Sequence, residues 1–195
     1  MTREEFLHHF EQVRGRTMNL ARCIPADKVE WRPEQAETSR PPHAGTAHGA
    51  AGEEAGRFTL GGLARHIAAT ERLVFAEGAC GRPSRYVGCG RELADGREAV
   101  LAYMETMHAE SMAIFGAFTE EQWNGKGKSP DGHAITVWKL LRAMIEHEIH
   151  HRGQMYVYLG ILGVEVPSLF GTNEAELRRL AGVGAKSESK TGRTT

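Results

Sequence analysis

Apolar residues return every three or four positions along four long stretches of this chain, with polar residues between them. That period predicts amphipathic α-helices. The first stretch runs from about Thr2 to Cys23, with Phe6, Phe10, Val13 and Leu20 on one face. Thr2 and Glu5 form a capping-box pattern at its start, and Pro25 ends it. The second begins near Thr59, a suitable N-cap, and carries Leu60, Leu63, Ile67 and Val74 inward. It ends at Gly78 or Gly81. The third opens on Asp95 and Glu98, another capping-box pair, and aligns Leu101, Met104, His108, Ser111, Phe115 and Phe118. The fourth is the longest, from about Thr136 to Leu162. Its stripe is Val137, Leu140, Met144, His147, His151, Met155, Tyr158 and Leu162. At 1.5 Å per residue such a helix spans roughly 40 Å.

Gly163 suits the stop of the fourth helix, and a short fifth helix is predicted near Asn173 to Leu180, with Asn173 and Glu176 as its cap pair. No segment alternates with period two, and no internal repeat is visible. Gly125 to Gly132 reads as a Lys/Gly-rich turn region. Four long amphipathic helices in one unit predict an all-α fold, a four-helix bundle with a short extra C-terminal helix. The expected domain covers residues 1–181. Ala36 to Gly56, small, polar and rich in Pro and Gly, reads as a mobile insertion, and 182–195 as a disordered tail.

Composition narrows the function classes. The 24 basic and 25 acidic side chains nearly cancel, and no basic arm stands out, so nucleic acid is a poor partner. No apolar run is long enough to span a bilayer, and the amphipathic start does not fit a secretory signal. Three cysteines, Cys23, Cys80 and Cys89, without a C-x-x-C pair fit free thiols in a reducing cytoplasm.

The candidate chemistry lies in histidine. Of ten in the chain, His8 and His9 lie off the first stripe, His43 and His48 fall in the insertion, and His133 in a turn. His66, His147 and His151 fall on core-facing positions of two helices. His147 and His151 are four residues apart, so their Cβ atoms lie about 5–6 Å apart on one face. Both can then reach one ion at roughly 2.0–2.1 Å per Zn–N bond. Three imidazoles with an open fourth position are the form of a reactive site, whereas a closed structural site needs a fourth protein ligand. Three histidines that merely pack in a helical interaction module are the competing reading. His108, also on a packed face, is a fourth candidate ligand. Glu71, five residues beyond His66, is a candidate general base.

The stretch His147-Glu148-Ile149-His150-His151 also fits the H-E-x-x-H pattern of zinc proteases, in which the Glu is the base. Such proteases need an active-site strand, which the pattern does not predict. Gln154 stands where the extended motif has Gly. Glu148 lies about 100° round the helix from His147, placed to bond another helix or a ligating imidazole.

Several motifs occur in a particular order: Ile24-Pro25, Trp31-Arg32-Pro33, Thr59-Leu60-Gly61-Gly62-Leu63-Ala64-Arg65-His66-Ile67, and His147-Glu148-Ile149-His150-His151-Arg152-Gly153-Gln154. Tyr158-Leu159, Gly163-Val164 and Pro167 follow. In this combination the chain resembles the DinB/YfiT-like family of metal-dependent enzymes. The resemblance implies a four-helix bundle, commonly a homodimer, with one divalent metal on one His of the second helix and an H-x3-H pair of the fourth. Those positions are His66, His147 and His151. His150 and Gln154 would support them, and Arg152 would anchor a dimer contact or the bundle end. The implied ion is Zn or Ni, then Mn or Fe. Relatives in the family include thiol-dependent enzymes, such as bacillithiol-type S-transferases and mycothiol-dependent isomerases, so the implied activity is that of a transferase that activates a low-molecular-weight thiol, with a small-molecule substrate. Activation of water is the close second, and a non-catalytic metal-binding or stress-response dimer the alternative. The Ala36–Gly56 segment departs from the family pattern and stands where it could cover the site.

Overall fold

The computed structural model of the protein describes residues 1–33 and 58–182. The four long helices lie where the periodicity puts them. The first, α1, spans Arg3–Ala21 and opens on the expected capping box, Thr2 Oγ1 accepting from the Glu5 amide and Glu5 Oε2 from the Thr2 amide. The second, α2, spans Leu60–Thr70, with Thr59 as N-cap. It runs on through a π turn at Glu71–Phe75 into α3, Ala76–Ala79. Helix α4 spans Arg97–Gly116, and α6 spans Val137–Ile161. The short C-terminal helix α7, Glu174–Leu180, carries the expected Asn173–Glu176 box but buries none of its residues. The expected 36–56 insertion lies outside the described residues, with His43 and His48, as does the tail beyond Gly182.

Three local features differ from expectation. Asp95 does not cap α4: Gly96, at φ +82°, is the N-cap, and the Asp95 carboxylate pairs with Arg91 at 3.0 Å. A further helix, α5, Glu120–Asn124, starts on a Thr119–Gln122 capping box. The Lys/Gly-rich turn region is a small antiparallel hairpin, β1 Lys126–Lys128 with β2 Ala134–Thr136, in the register Gly127↔Ile135. Strands of three residues, one of them Lys-Gly-Lys, carry no period-two signal. The hairpin is held by backbone contact. A Cβ on Gly78 of α3 would run into the Lys128 carbonyl, and one on Gly127 into the Gly78 carbonyl.

The core has two apolar lobes. One contains Leu20, Ile24, Leu60, Leu63, Ile67, Met104, Met155 and Leu159. The other contains Phe6, Phe10, Phe75, Phe115, Trp123, Leu140 and Met144. Helices α1 and α6 pass from the Phe-rich lobe to the Leu-rich one, and α2 and α4 pass the other way. The bundle is therefore up-down-down-up. Helix α1 packs on α4 and α6, and α2 packs on the same two. Because α2 and α4 are parallel neighbours, the chain after α3 must return along the bundle, a long crossover connection.

Between the lobes each long helix turns a polar residue inward. Arg14 of α1 forms ion pairs with Glu71 of the π turn and, at 3.1 Å, with Glu148 of α6. His108 of α4 lies 3.1 Å from Glu71 through Nδ1. Arg152 donates to the Val13 carbonyl at 3.2 Å. It is 4% exposed, so its role is to tie α6 to α1 and not to meet solvent or a second chain.

Two glycine substitutions should move stability in opposite directions. Gly15 lies in mid-α1 with nothing within 4 Å of a built Cβ, so Gly15→Ala should stabilise by about 0.5–1 kcal/mol through helix propensity. Gly78→Ala gains the same propensity but forces a side chain against a carbonyl, costing about 1–3 kcal/mol, so it should be net destabilising. Urea midpoints of the two variants against wild type check both signs.

Candidate metal centre

His66 projects from α2, and His147 and His151 project one turn apart from α6, across the α2–α6 contact. Their ring centroids are 5.0 Å (66–147), 4.6 Å (66–151) and 4.4 Å (147–151) apart. One nitrogen from each lies within 4.8 Å of the others, and this is the one group of three or more metal-ligating side chains among the described residues. His66 Nε2 and His147 Nε2 are 3.1 Å apart. Two Nε2 ligands on one tetrahedral ion, at 2.0–2.1 Å each, would be about 3.3 Å apart. The donor set thus fits one ion with little rearrangement, and three imidazoles leave further coordination positions open.

Electrostatics suits the same use. Burial, and then the two neighbouring imidazoles, push His66 down to about 3. Burial, His151 and His150 push His147 down to about 4. Burial also lowers His151, although its hydrogen bond to Gln154 works the other way. All three rings are neutral at pH 7, with lone pairs available, as metal ligation requires.

The far nitrogens of His151 and His66 are engaged. His151 Nδ1 is 2.8 Å from Gln154 Oε1, an acceptor, so Nδ1 carries the proton and Nε2 is left to ligate. The Gln154 amide lies 3.2 Å from His150 Nε2, which gives both residues the supporting place expected of them. His66 Nδ1 lies 2.8 Å from the Tyr86 hydroxyl. Phe58 stacks on His66 at 4.6 Å and meets His151 edge-on at 5.6 Å, while Phe75 lies 5.7 Å from His147. Sequence reasoning missed Tyr86, Phe58 and Phe75. They stand in connections or in the π turn, where no periodicity singles them out.

Other candidates lie elsewhere. His108 is not in the ligating group: its ring packs on Phe10 at 4.7 Å, and burial and the Arg14 charge push it down to about 4. Its neutral Nδ1–H donates to Glu71. Glu71 is 2% exposed and committed to Arg14 and His108, because the π turn rotates it into the core, so it is not a free base. Glu148 bonds another helix, at Arg14, and is equally buried. It therefore does not serve as the base of an H-E-x-x-H protease. His8, His9 and His133 are exposed. All three cysteines are free thiols. No helix among the described residues is long and apolar enough to cross a membrane.

Residues 9–155 match the DinB superfamily, and the chain belongs to it. In fold it is similar to a DinB-like protein (YjoA) of Bacillus subtilis, with a TM-score of 0.58, 23% identity, and coverage of 85% of this chain and 97% of that one. At that identity the likeness shows the fold alone. No curated protein matches the chain.

The half-buried neutral histidines give the metal-free protein a defined acid response. In the unfolded chain these imidazoles take up protons near their ordinary 6.5, whereas His66, His108 and His147 resist until about 3, 4 and 4. Their contribution is complete above about pH 6.5 and is lost progressively as pH falls through about 4 to about 3. Urea midpoints of the metal-free protein at pH 7.5, 6 and 5 should therefore fall in that order. A flat profile would mean that these rings are not buried as neutral groups.

Proposed function

We propose that this protein is a divalent-metal-dependent enzyme of the DinB superfamily, in which His66, His147 and His151 hold the ion. Its co-substrate is a low-molecular-weight thiol, whose sulfur is joined to a small electrophilic substrate. The observation that carries this reading is the convergence of three neutral imidazoles from two helices, two of their Nε2 atoms 3.1 Å apart. When bound, the ion supplies a Lewis-acid centre that lowers the pKa of a coordinated thiol or water. Imidazole ligands suit Zn or Ni, then Fe, with Mn the least favoured by nitrogen donors.

The chain's own residues do the rest. Gln154 orients His151, and Phe58 and Phe75 border the ligand rings with apolar surface. Neither carboxylate of the nearby polar layer accepts the thiol's proton, because Arg14 holds both Glu71 and Glu148. Among the described residues no other carboxylate joins the histidine group, which favours a nucleophile acidic enough to ionise with the ion's help alone. Thiols, at about pKa 8.5, are far nearer that condition than water at 15.7.

Elemental analysis of untagged, chelator-free protein tests this first. Wild type should carry close to one divalent ion per chain, and His147→Ala should lose it. Thiol-consumption assays with the loaded protein and electrophilic substrates should then show turnover absent from the variant. Ion uptake without turnover on thiols or esters would leave a metal-binding protein, and no uptake would leave a packed bundle.

We also propose that the protein is a homodimer built on the outer face of α6. Ile149, Gly153, Tyr156, Val157, Gly160 and Ile161 lie exposed on that face, a large apolar surface with two glycines that permit close helix approach. Light scattering after gel filtration should give twice the 21.5 kDa chain mass, and Val157→Glu should shift it to the monomer. A monomeric wild type overturns this assembly.

A further inference from the structure

We propose that Tyr86 is a positioning residue of the metal centre, its hydroxyl fixing the His66 ring so that Nε2 faces His147 and His151. This rests on the metal reading above and extends it to a residue of the connection between α3 and α4.

An imidazole that ligates through Nε2 carries its proton on Nδ1, and that N–H needs an acceptor. For His151 the acceptor is Gln154, on the same helix. For His66 it is the Tyr86 oxygen, 2.8 Å from Nδ1, with the phenol ring edge-on to the imidazole at 5.8 Å and 87°. Rotating the imidazole by half a turn would put carbon against that hydroxyl and turn Nε2 away from the α6 pair. Phe58, stacked on the other side of the ring, restricts rotation but offers no hydrogen bond. The polar restraint seen on His66 thus comes from the crossover connection between α3 and α4.

That connection is irregular, yet it is anchored on both sides of Tyr86 by the helix that carries His66. On the near side the Arg85 amide donates to the Leu73 carbonyl at 2.8 Å, and the Arg85 guanidinium pairs with Glu77 at 2.8 Å. Arg72 and Arg82 grip the same buried carboxylate. On the far side Arg65, the residue before His66, donates from Nε to the Cys89 carbonyl at 2.7 Å and from Nη1 to the Ala94 carbonyl at 2.9 Å. Arg65 is itself 1% exposed and held by Glu30. The ligand and its positioning residue are therefore referenced to one rigid element. The crossover that parallel α2 and α4 demand is what carries Tyr86 past the level of the site.

Tyr86→Phe removes the hydroxyl and keeps the ring. Zn²⁺ affinity, measured by competition with a chromophoric chelator at pH 7.5, should weaken roughly 10–100-fold, as loss of an outer partner of a ligating histidine does. The metal-free urea midpoint should stay at the wild-type value, and the visible bands of the Co²⁺-loaded protein should change. Affinity within about threefold of wild type overturns the proposal while leaving the metal reading intact. Parallel losses of metal-free stability and affinity would mark Tyr86 as a packing residue and also overturn it. A wild type that takes up no ion overturns both readings together.

Discussion

The interaction on which the rest of this bundle depends is the Arg14 guanidinium held between Glu71 and Glu148 in the middle of the core. Buried ion pairs are seldom large net stabilisers, since desolvation consumes most of their attraction. Breaking one is another matter: leaving a carboxylate unpaired between apolar lobes costs about 3–5 kcal/mol. Two Arg14 nitrogens and one Glu148 oxygen have no hydrogen-bond partner among the described residues, which lowers the layer's net worth further. Its effect is on register. Sliding any of the four helices by a turn would set a charge against Phe10, Phe75, Met104 or Met155. The helices are thereby held at one axial level, and the three histidines lie at that level.

The layer and the histidine cluster share backbone. His147 and Glu148 are consecutive, so α6 sends one side chain to the α2 interface and the next to α1. On α2 the same division is made by the π turn, which lets His66 face α6 and Glu71 face Arg14 and His108. Charge is kept on one side of the α2–α6 contact and neutral donors on the other. Without that separation, carboxylates beside the imidazoles would raise their basicity.

Much of this was legible in the sequence. The 3.6-residue stripes located every long helix, and a histidine on such a stripe announces a buried polar group, which is how His66, His147 and His151 stood out. Periodicity reports which face of a helix is inward but not what it meets there. His108 has the same pattern as His66, and only the tertiary arrangement sends it to Glu71. Arg14 reads as an ordinary helix arginine, and Arg152 as an anchor of a dimer contact or the bundle end, until their carboxylate and carbonyl partners are seen. The π turn leaves no mark in composition, so Glu71 looked available when it is buried. Tyr86 and the hairpin depend on contacts with distant backbone, which no local pattern encodes.

The crossover topology has a consequence for how the centre comes into being. His66 and His147 are 81 positions apart, and the helices that carry them meet only when the bundle closes. Contacts of such separation form late, after the entropy of closing the intervening chain has been met. During synthesis two of the three imidazoles, His147 and His151, become available only as the last long helix leaves the ribosome, so the site comes together at the end of the folding reaction.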